Sequence, residues 1–291
     1  MRTGICTTDF EKGKLLPADK LFGIIRSMGF ECLQFAFTSI AECDCEPSKL
    51  IEIPANITGD MIRAAVHASE RYSLPVEVIN GTFNMAHPDA WVRDEGLLRL
   101  EKLIIVAGEL GAKYISLCSG TRNRNHLWRY SDENDTPDAW DDMYSAMSRA
   151  VEIAERYSIT LAIESEASNV IDTPENARRV MDQIGSDRLK MILDCANLFH
   201  VGEAHRENVK ATISHAFAVY GDDIVIAHGK DIREGESIDF CGTGLGIVDF
   251  AHTAELLRER NYTGNMFLHG IYDIEDMPRA LEYWKNAAGV V

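Results

Sequence analysis

The chain has 291 residues, of which 46% are hydrophobic and 26% charged, and its formal net charge is −17. This length and hydrophobic content allow one large buried core, whereas the acidic balance disfavours binding to a phosphate backbone, which requires basic patches. No apolar run reaches the roughly 20 residues that would span a bilayer. We therefore expect one domain, residues 1–291, in a cytoplasmic protein with no nucleic-acid or membrane partner.

Cysteine usage supports a reducing compartment. The seven cysteines are scattered along the chain, and an odd, dispersed set is typical of reduced thiols rather than of a disulfide framework. Cys43 and Cys45 form the single close pair in the sequence, and they lack the C-x-x-C spacing of a metal or redox motif. We predict that this pair lies in a surface loop.

Strand-like and helix-like segments alternate through the first half of the chain. Strands are predicted at 2–7, 31–37, 75–79 and 114–118, and helices at 17–28, 58–71, 92–110 and 139–156. The helix that ends at Leu110 carries apolar residues at helical spacing and is followed by Gly111, a usual helix-ending residue.

The same alternation continues to the end of the chain. Thr173 followed by Pro174 predicts the start of a helix, because threonine caps helices and proline is favoured in their first turn. Helices are also expected at 207–220, 250–260 and 274–285. Strand–helix pairs repeated in this way predict a (β/α)8 TIM barrel. An open doubly wound sheet is the alternative, but it normally shows a glycine-rich turn after its first strand, where this chain has Thr7-Thr8-Asp9.

Four short apolar runs in the second half each end on a side chain that can bind a metal. Because the carboxyl ends of barrel strands converge on one face, where active sites are built, these four side chains should point at one spot. A mixture of carboxylate and imidazole ligands suits Mn²⁺ or Zn²⁺ best, with Co²⁺, Fe²⁺ or Mg²⁺ as alternatives. The predicted ligands are Glu164, Asp194, His228 and His269.

Three motifs of this half resemble those of the sugar phosphate isomerase/epimerase superfamily, the xylose isomerase-like TIM barrels. They are Leu161-Ala-Ile-Glu164, Leu193-Asp194-Cys-Ala-Asn197 and His228-Gly-Lys-Asp231, and the glycine-containing stretch 242–249 resembles a loop that follows strand seven in that family. The resemblance implies a TIM barrel that binds one divalent metal and acts on a small carbohydrate, and barrels of this family commonly pair as homo-oligomers through loops of the active face.

The resemblance also implies roles for the four strand-end residues. In the single-metal members, the ligands are a glutamate on strand five, an aspartate on strand six, a histidine on strand seven and a glutamate on strand eight. The last of these falls on His269 here. An imidazole can still bind a metal, but once bound it has no free lone pair for proton transfer, so the departure bears mainly on the reaction.

Candidate catalytic and substrate-binding residues lie close to the predicted ligands in the sequence. Glu164 is the first candidate for the base that removes a carbon-bound proton, and Glu166 is the second. A loop carboxylate on the rim is the alternative for Glu166. Asp231 could orient a ligand or pair with Lys230, and Lys230 could either bind an anionic substrate group or form a structural ion pair. The predicted substrate contacts are Asn84, His87, Asn197, Lys230 and Asp231.

These expectations favour a metal-dependent isomerase or epimerase that acts on a small sugar, sugar acid or cyclitol by enediolate-type proton transfer. A metal-dependent lyase or dehydratase acting on a similar keto-sugar or inosose is the nearest enzyme alternative. A carbohydrate-binding barrel with altered catalysis is a third, because His269 departs from the family pattern. Trp91, Trp128 and Trp140 could stack on a sugar ring, or they could be ordinary loop aromatics.

Overall fold

The computed structural model describes residues 1–10, 15–42 and 50–289. Cys43 and Cys45, predicted as surface thiols, lie outside these ranges. Within them, none of the helices is long and apolar enough to cross a bilayer, and the cysteines at 6, 32, 118, 195 and 241 are buried free thiols.

Eight parallel strands of the described chain close into a barrel. The hydrogen-bonded order is β6-β5-β4-β3-β2-β1-β9-β7, and pairing of β6 with β7 closes the ring. This arrangement confirms the predicted (β/α)8 fold. The strands are β1 (Thr3–Cys6), β2 (Cys32–Phe35), β3 (Val76–Asn80), β4 (Tyr114–Cys118), β5 (Thr160–Glu164), β6 (Leu189–Asp194), β7 (Ile224–Ile232) and β9 (Asn265–Leu268).

Helices follow the strands and cover the barrel from outside. The predicted start at Thr173 is confirmed, since its hydroxyl accepts a hydrogen bond from the amide of Asn176 and Pro174 begins the helix. Gly111 ends its helix in the left-handed conformation, as expected. The helices are α1 (Ala18–Ser27), α2 (Gly59–Tyr72), α3 (Ala90–Leu110), α4 (Pro137–Tyr157), α5 (Pro174–Ile184), α6 (Arg206–Tyr220), α7 (Phe250–Glu259) and α8 (Met277–Ala287).

Two features differ from the sequence-based expectation. β7 runs four residues beyond the expected end at His228 and pairs antiparallel with an additional short strand, β8 (Phe240–Gly242). The last helix begins at Met277 because residues 274–276 form a separate 3-10 turn. The β7–β8 hairpin holds the segment that contains Lys230 and Asp231 above the barrel end.

The buried core has two parts, and the smaller one fills the inside of the barrel. It consists of one residue from each of seven barrel strands: Cys6, Cys32, Val78, Ala162, Ile192, Ile226 and Phe267. The larger part packs between the strands and the surrounding helices. Because side chains alternate between the two faces of a strand, the inner residues fix which side chains of every strand point into the barrel.

Candidate active site

A layer of polar side chains lies directly above the apolar interior of the barrel. Side chains two residues apart on a strand point to the same face. Because Ala162 and Ile226 point into the barrel, the side chains of Glu164 and His228 should also point inward. We call these positions the polar tier. Its members are Thr8, Gln34, Asn80, Ser116, Glu164, Asp194, His228 and His269.

Three members of the polar tier form a compact group of potential metal ligands. Ligand atoms of Glu164, Asp194 and His228 all lie within 4.8 Å of one another, and all three residues are buried. They sit on adjacent strands, and Asp194 pairs directly with His228 in the β6–β7 register. The structure therefore brings together three of the four ligands predicted from the sequence.

Gln34 sets the orientation of the His228 ring. The side chain reaches across the barrel end from β2, and its Oε1 atom lies 2.8 Å from His228 Nε2. Because an amide oxygen only accepts hydrogen bonds, Nε2 carries the proton. The Nδ1 atom then faces the carboxylates, 3.3 Å from Glu164 Oε1 and 3.7 Å from Asp194 Oδ2. This is the orientation in which a neutral imidazole presents its lone pair to a metal.

The charges of the group are strongly coupled. Burial alone would raise the pKa of Asp194, but Lys230 and His228 lower it well below its ordinary range. Burial disfavours protonation of His228, yet Glu164 and Asp194 raise the pKa of the imidazole to about 9. In the absence of a cation, therefore, a proton on His228 offsets part of the negative charge, and a bound divalent cation would replace that proton.

The residues present fit a divalent metal ion. Asp194 Oδ2 is buried and makes no hydrogen bond within the described part of the chain, although Lys230 Nζ is 3.3 Å away. An unsatisfied buried carboxylate oxygen is costly, and it faces the Nδ1 atom of His228. Two carboxylates and one imidazole form a donor set suited to Mn²⁺ or Zn²⁺.

His269 lies beside this group rather than within it. Its ring centroid is 5.6 Å from that of His228, and its side chain is 32% exposed. Its Nδ1 atom is 3.3 Å from Asp9 Oδ1 without forming an aligned hydrogen bond. The same carboxylate accepts hydrogen bonds from the amides of Gly270 and Ile271. Asp9, which the sequence did not single out, thus fixes the chain that follows β9, and a metal bond from His269 stays a prediction.

Asn197 and Lys230 adjoin the ligand group, but neither is among the described residues of the cavity wall, so the predicted contact of each with substrate stays a prediction. Asn197 donates from Nδ2 to Glu164 Oε1 at 2.9 Å and accepts from Lys230 Nζ at 2.6 Å. The ammonium group also lies 4.1 Å from the centre of the Phe240 ring. Burial would lower the pKa of Lys230, but Asp194 and Glu164 raise it. Lys230 is therefore a buried cation held among the carboxylates.

Glu166 occupies a buried position two residues beyond Glu164. Its carboxylate accepts a hydrogen bond from Ser168 at 2.7 Å, and burial raises its pKa to about 7 despite the opposing effect of Lys230. Glu164 lines the central cavity, whereas Glu166 is absent from the described lining. Of the two predicted catalytic carboxylates, Glu164 is thus the one placed to meet a ligand.

Asn84 and His87 connect loops to each other. Asn84 accepts from the amide of Thr121 at 2.9 Å. His87 Nδ1 accepts from the amide of Asp89, and its Nε2 atom lies 3.3 Å from the carbonyl oxygen of Arg124. Burial lowers the pKa of His87, in keeping with a neutral ring. The structure does not bring either predicted substrate contact to the cavity wall.

Asp231 organises the glycine-containing loop after β8. Its two carboxylate oxygens accept hydrogen bonds from four backbone amides, those of Ile232, Gly244, Gly246 and Val248. A Cβ atom on residue 246 would lie 2.4 Å from Asp231 Oδ1, so only glycine allows this approach. The predicted contact of Asp231 with substrate is not brought about in this geometry, because the carboxylate is turned to the loop.

The polar tier opens into a cavity of about 440 Å³, a size within the range of small-molecule sites. Beyond the tier itself, loop residues complete the wall, among them Glu52 and Trp128. Glu52 Oε1 accepts from the indole N–H of Trp128 at 2.7 Å, and its Oε2 accepts from Asn80 Nδ2 at 3.1 Å. Burial raises the pKa of Glu52, while these two hydrogen bonds lower it in part.

Of the three tryptophans considered as stacking residues, Trp128 lines the cavity. Trp91 is exposed near the start of α3, and Trp140 lies in α4, where the Arg179 guanidinium sits 3.7 Å from its ring centre. Four further residues of the cavity wall were not predicted from the sequence: Glu52, Gln34, Asn80 and Ser116. The signal for the last three was present, since each is a polar residue at an inward-facing position of an otherwise apolar strand.

The fold and site together define a TIM barrel with a buried carboxylate–imidazole group at the carboxyl ends of β5, β6 and β7. A model of the xylose isomerase-like TIM barrel family matches residues 22–287. The chain belongs to this family, as its motifs had suggested.

Individual relatives are more distant. The chain is 24% identical over 124 residues to an inosose isomerase of Halalkalibacterium halodurans, a match covering 41% of this chain and 42% of that protein. Its fold is similar to that of a D-tagatose 3-epimerase-like protein, with a TM-score of 0.75, 20% identity and coverage of 100% and 98% of the two chains. It is also similar to the IolI protein with a bound zinc atom, with a TM-score of 0.68, 16% identity and coverage of 99% and 96%.

Proposed function

We propose that this protein is a divalent-metal-dependent isomerase or epimerase of a small sugar, sugar acid or cyclitol. The observation that carries the proposal is the buried Glu164–Asp194–His228 group beside a cavity of about 440 Å³. The inosose isomerase and the D-tagatose 3-epimerase-like protein support the substrate class, and the zinc-bound IolI protein supports the metal. Mn²⁺ and Zn²⁺ are the first candidates, because the donor set mixes carboxylate oxygen with imidazole nitrogen.

The metal would be held by Glu164, Asp194 and His228, and when bound it would polarise neighbouring substrate oxygens and stabilise negative charge that develops on them. The protein's own contribution is positioning. Gln34 holds the His228 ring, and Asn197 fixes Glu164 Oε1 while also accepting from Lys230. The buried positive charge of Lys230 lowers the pKa of Asp194 and so stabilises the ionised form of that carboxylate.

Glu164 is the proposed base for removal of a carbon-bound proton. It lines the cavity, and Asn197 restrains its carboxylate to one orientation. Glu166 is the second candidate, since its pKa of about 7 suits a group that gives and takes protons near neutrality. Glu166 is not among the described residues that line the cavity, so Glu164 is the first candidate.

Metal content is the first test of the proposal. The wild-type protein should retain about one divalent ion per chain after mild purification or reload it after chelation, as measured by elemental analysis. Asp194→Asn should lose this ion. Asp223→Asn is a matched control. Asp223 also forms ion pairs, with the partly buried Lys190 and Arg178, but it lies just before β7, at the other end of the barrel. Failure of the wild type to bind any transition metal would remove the basis of the proposal.

The reaction is tested by incubating the metal-loaded protein in D₂O with ketoses, inososes and sugar acids. An isomerase or epimerase should introduce deuterium at a carbon and change the isomer without a further change in mass. Loss of 18 mass units would identify the lyase or dehydratase alternative. Retention of metal and binding of sugar with neither exchange nor water loss would point to the carbohydrate-binding alternative.

A further inference from the structure

We infer that Glu52 is the carboxylate that recognises a substrate hydroxyl group on the part of the cavity wall next to β3. This inference rests on the proposed carbohydrate substrate and goes beyond it by naming the specificity-determining residue. It is carried by the position of Glu52 on the cavity wall and by the groups that hold it there.

The strand order places Glu52 on a different part of the barrel end from His228. Glu52 bonds to Asn80 at the end of β3, and β3 is four steps around the closed ring from β7, which carries His228, and three steps from β6, which carries Asp194. Glu164, on β5, is two steps from β3 and lines the same cavity as Glu52. A small sugar held at the metal through one end would therefore have Glu52 within the same cavity for its other hydroxyl groups.

The Glu52 carboxylate is preorganised for hydrogen bonding. Trp128 donates to one oxygen and Asn80 to the other, at 2.7 and 3.1 Å. Each carboxylate oxygen has a further acceptor position, and the residue remains on the cavity wall. A carboxylate fixed in this way accepts a sugar hydroxyl without a new loss of side-chain freedom.

A chain of hydrogen bonds links Glu52 to His228, one of the proposed metal ligands. Asn80 Oδ1 accepts from Ser116, and Ser116 Oγ in turn lies 3.4 Å from Gln34 Nε2. Gln34 then holds the ring of His228. The hydrogen-bonded side chains between Glu52 and His228 thus offer ordered polar groups to successive hydroxyls, while Ile51 and Leu117 add apolar contacts to the same cavity.

The test compares sugar binding and turnover by wild type, Glu52→Gln and Glu95→Gln. Glu95 is a control glutamate that pairs with Arg99 in α3 and is not part of the described cavity wall. With the four D-ketohexoses and scyllo-inosose as probes, Glu52→Gln should raise Kd or KM about tenfold or more, because hydrogen bonds to charged groups are the stronger ones. Metal content should be unchanged in both variants, and Glu95→Gln should bind like the wild type.

Deoxy sugars separate recognition from a structural role. For the best-bound ketohexose, removing the hydroxyl that meets Glu52 should weaken binding to the wild type and have little effect on Glu52→Gln. Trp128→Phe removes the indole donor and tests whether Glu52 merely ties down the loop that carries Trp128. If Glu52→Gln lowers Tm but leaves the affinity for every bound sugar unchanged, or if Trp128→Phe reproduces its pattern with all deoxy sugars, the inference is wrong.

The outcomes also distinguish this inference from the proposed function. Sugar binding that depends on Glu52 in the absence of turnover would keep the inference and reject the isomerase proposal. Isomerase turnover that is the same in the wild type and in Glu52→Gln would support the proposed function and reject the inference about Glu52. A wild type that binds none of the five probes, measured by isothermal titration calorimetry with Mn²⁺ present, would overturn both.

Discussion

Asp231 gives the sharpest test of what the last residue of the His228-Gly-Lys-Asp231 motif does. In Asp231→Asn, one carboxylate oxygen becomes an NH₂ group that faces two backbone N–H donors. The affected amides are either those of Gly244 and Gly246 or those of Ile232 and Val248, depending on which way the new amide turns. Two amides then lose their acceptor whichever orientation the side chain adopts.

The size of the effect follows from this count. Each amide left without a partner costs about 1–3 kcal/mol, with the lower values expected at the partly buried glycines, so Asp231→Asn should lower the free energy of unfolding by roughly 2–4 kcal/mol. The unfolding entropy of 291 residues is about 0.6 kcal/mol/K. The expected fall in Tm is therefore about 3–7 °C.

The assay is thermal unfolding followed by circular dichroism, with Asp239→Asn as the control. Asp239 pairs with Arg233 on the exposed side of the same hairpin, and such surface pairs contribute little, so Tm should hardly change. Equal Tm values for Asp231→Asn and Asp239→Asn would refute the assignment of Asp231 to loop organisation. A large increase in KM with an unchanged Tm would instead support the direct substrate contact expected from the sequence.

Other predictions concern the metal ligands and pH. Gln34→Leu removes the acceptor of the His228 Nε2–H group and should weaken metal affinity about 10–100-fold, measured by competition with a chromophoric chelator; an unchanged affinity would contradict the orienting role of Gln34. His87 has a lowered pKa in the folded state, so its contribution to stability is complete above about pH 6.5 and is lost as the pH falls through the folded-state pKa. His87→Asn should therefore flatten the decline in the urea midpoint between about pH 7 and 5, and an unchanged slope would show that other groups are responsible.

The barrel and the clustering of Glu164, Asp194 and His228 could be predicted from the sequence because the same signal recurs. β5 and β6 each finish with an apolar run followed by a carboxylate, and β7 begins with an apolar run followed by His228. The alternation of a strand then fixes where each of these side chains points. Gln34 and Ser116 obey the same geometry. They were missed because neutral polar residues contrast less with their apolar neighbours than Glu164 or Asp194 does.

Contacts made by loops could not be predicted in this way. Asn84 and His87 follow β3, and Asp231 lies near the end of β7, but each of the three contacts backbone groups of another loop. Whether a polar side chain at a strand end meets a ligand or an amide depends on the path of the loop, and that path arises from long-range contacts. Glu52 shows the converse, since a residue with no local signal reaches the cavity through its bonds to Trp128 and Asn80.

The placement of carboxylates around the cavity bears on the departure at position 269. Family resemblance leads one to expect a glutamate at the end of the last barrel strand, where this chain has His269 beside Asp9. Across the described residues, the carboxylates on the cavity wall are Glu164 and Glu52. The end of β9 thus carries no carboxylate, but Glu52, on the loop before α2, supplies one to the same cavity. Asn80 of β3 and Trp128 hold it there. A substrate bound at the metal would still meet acidic groups on two sides, and His269 would offer it a nitrogen in place of the expected oxygen.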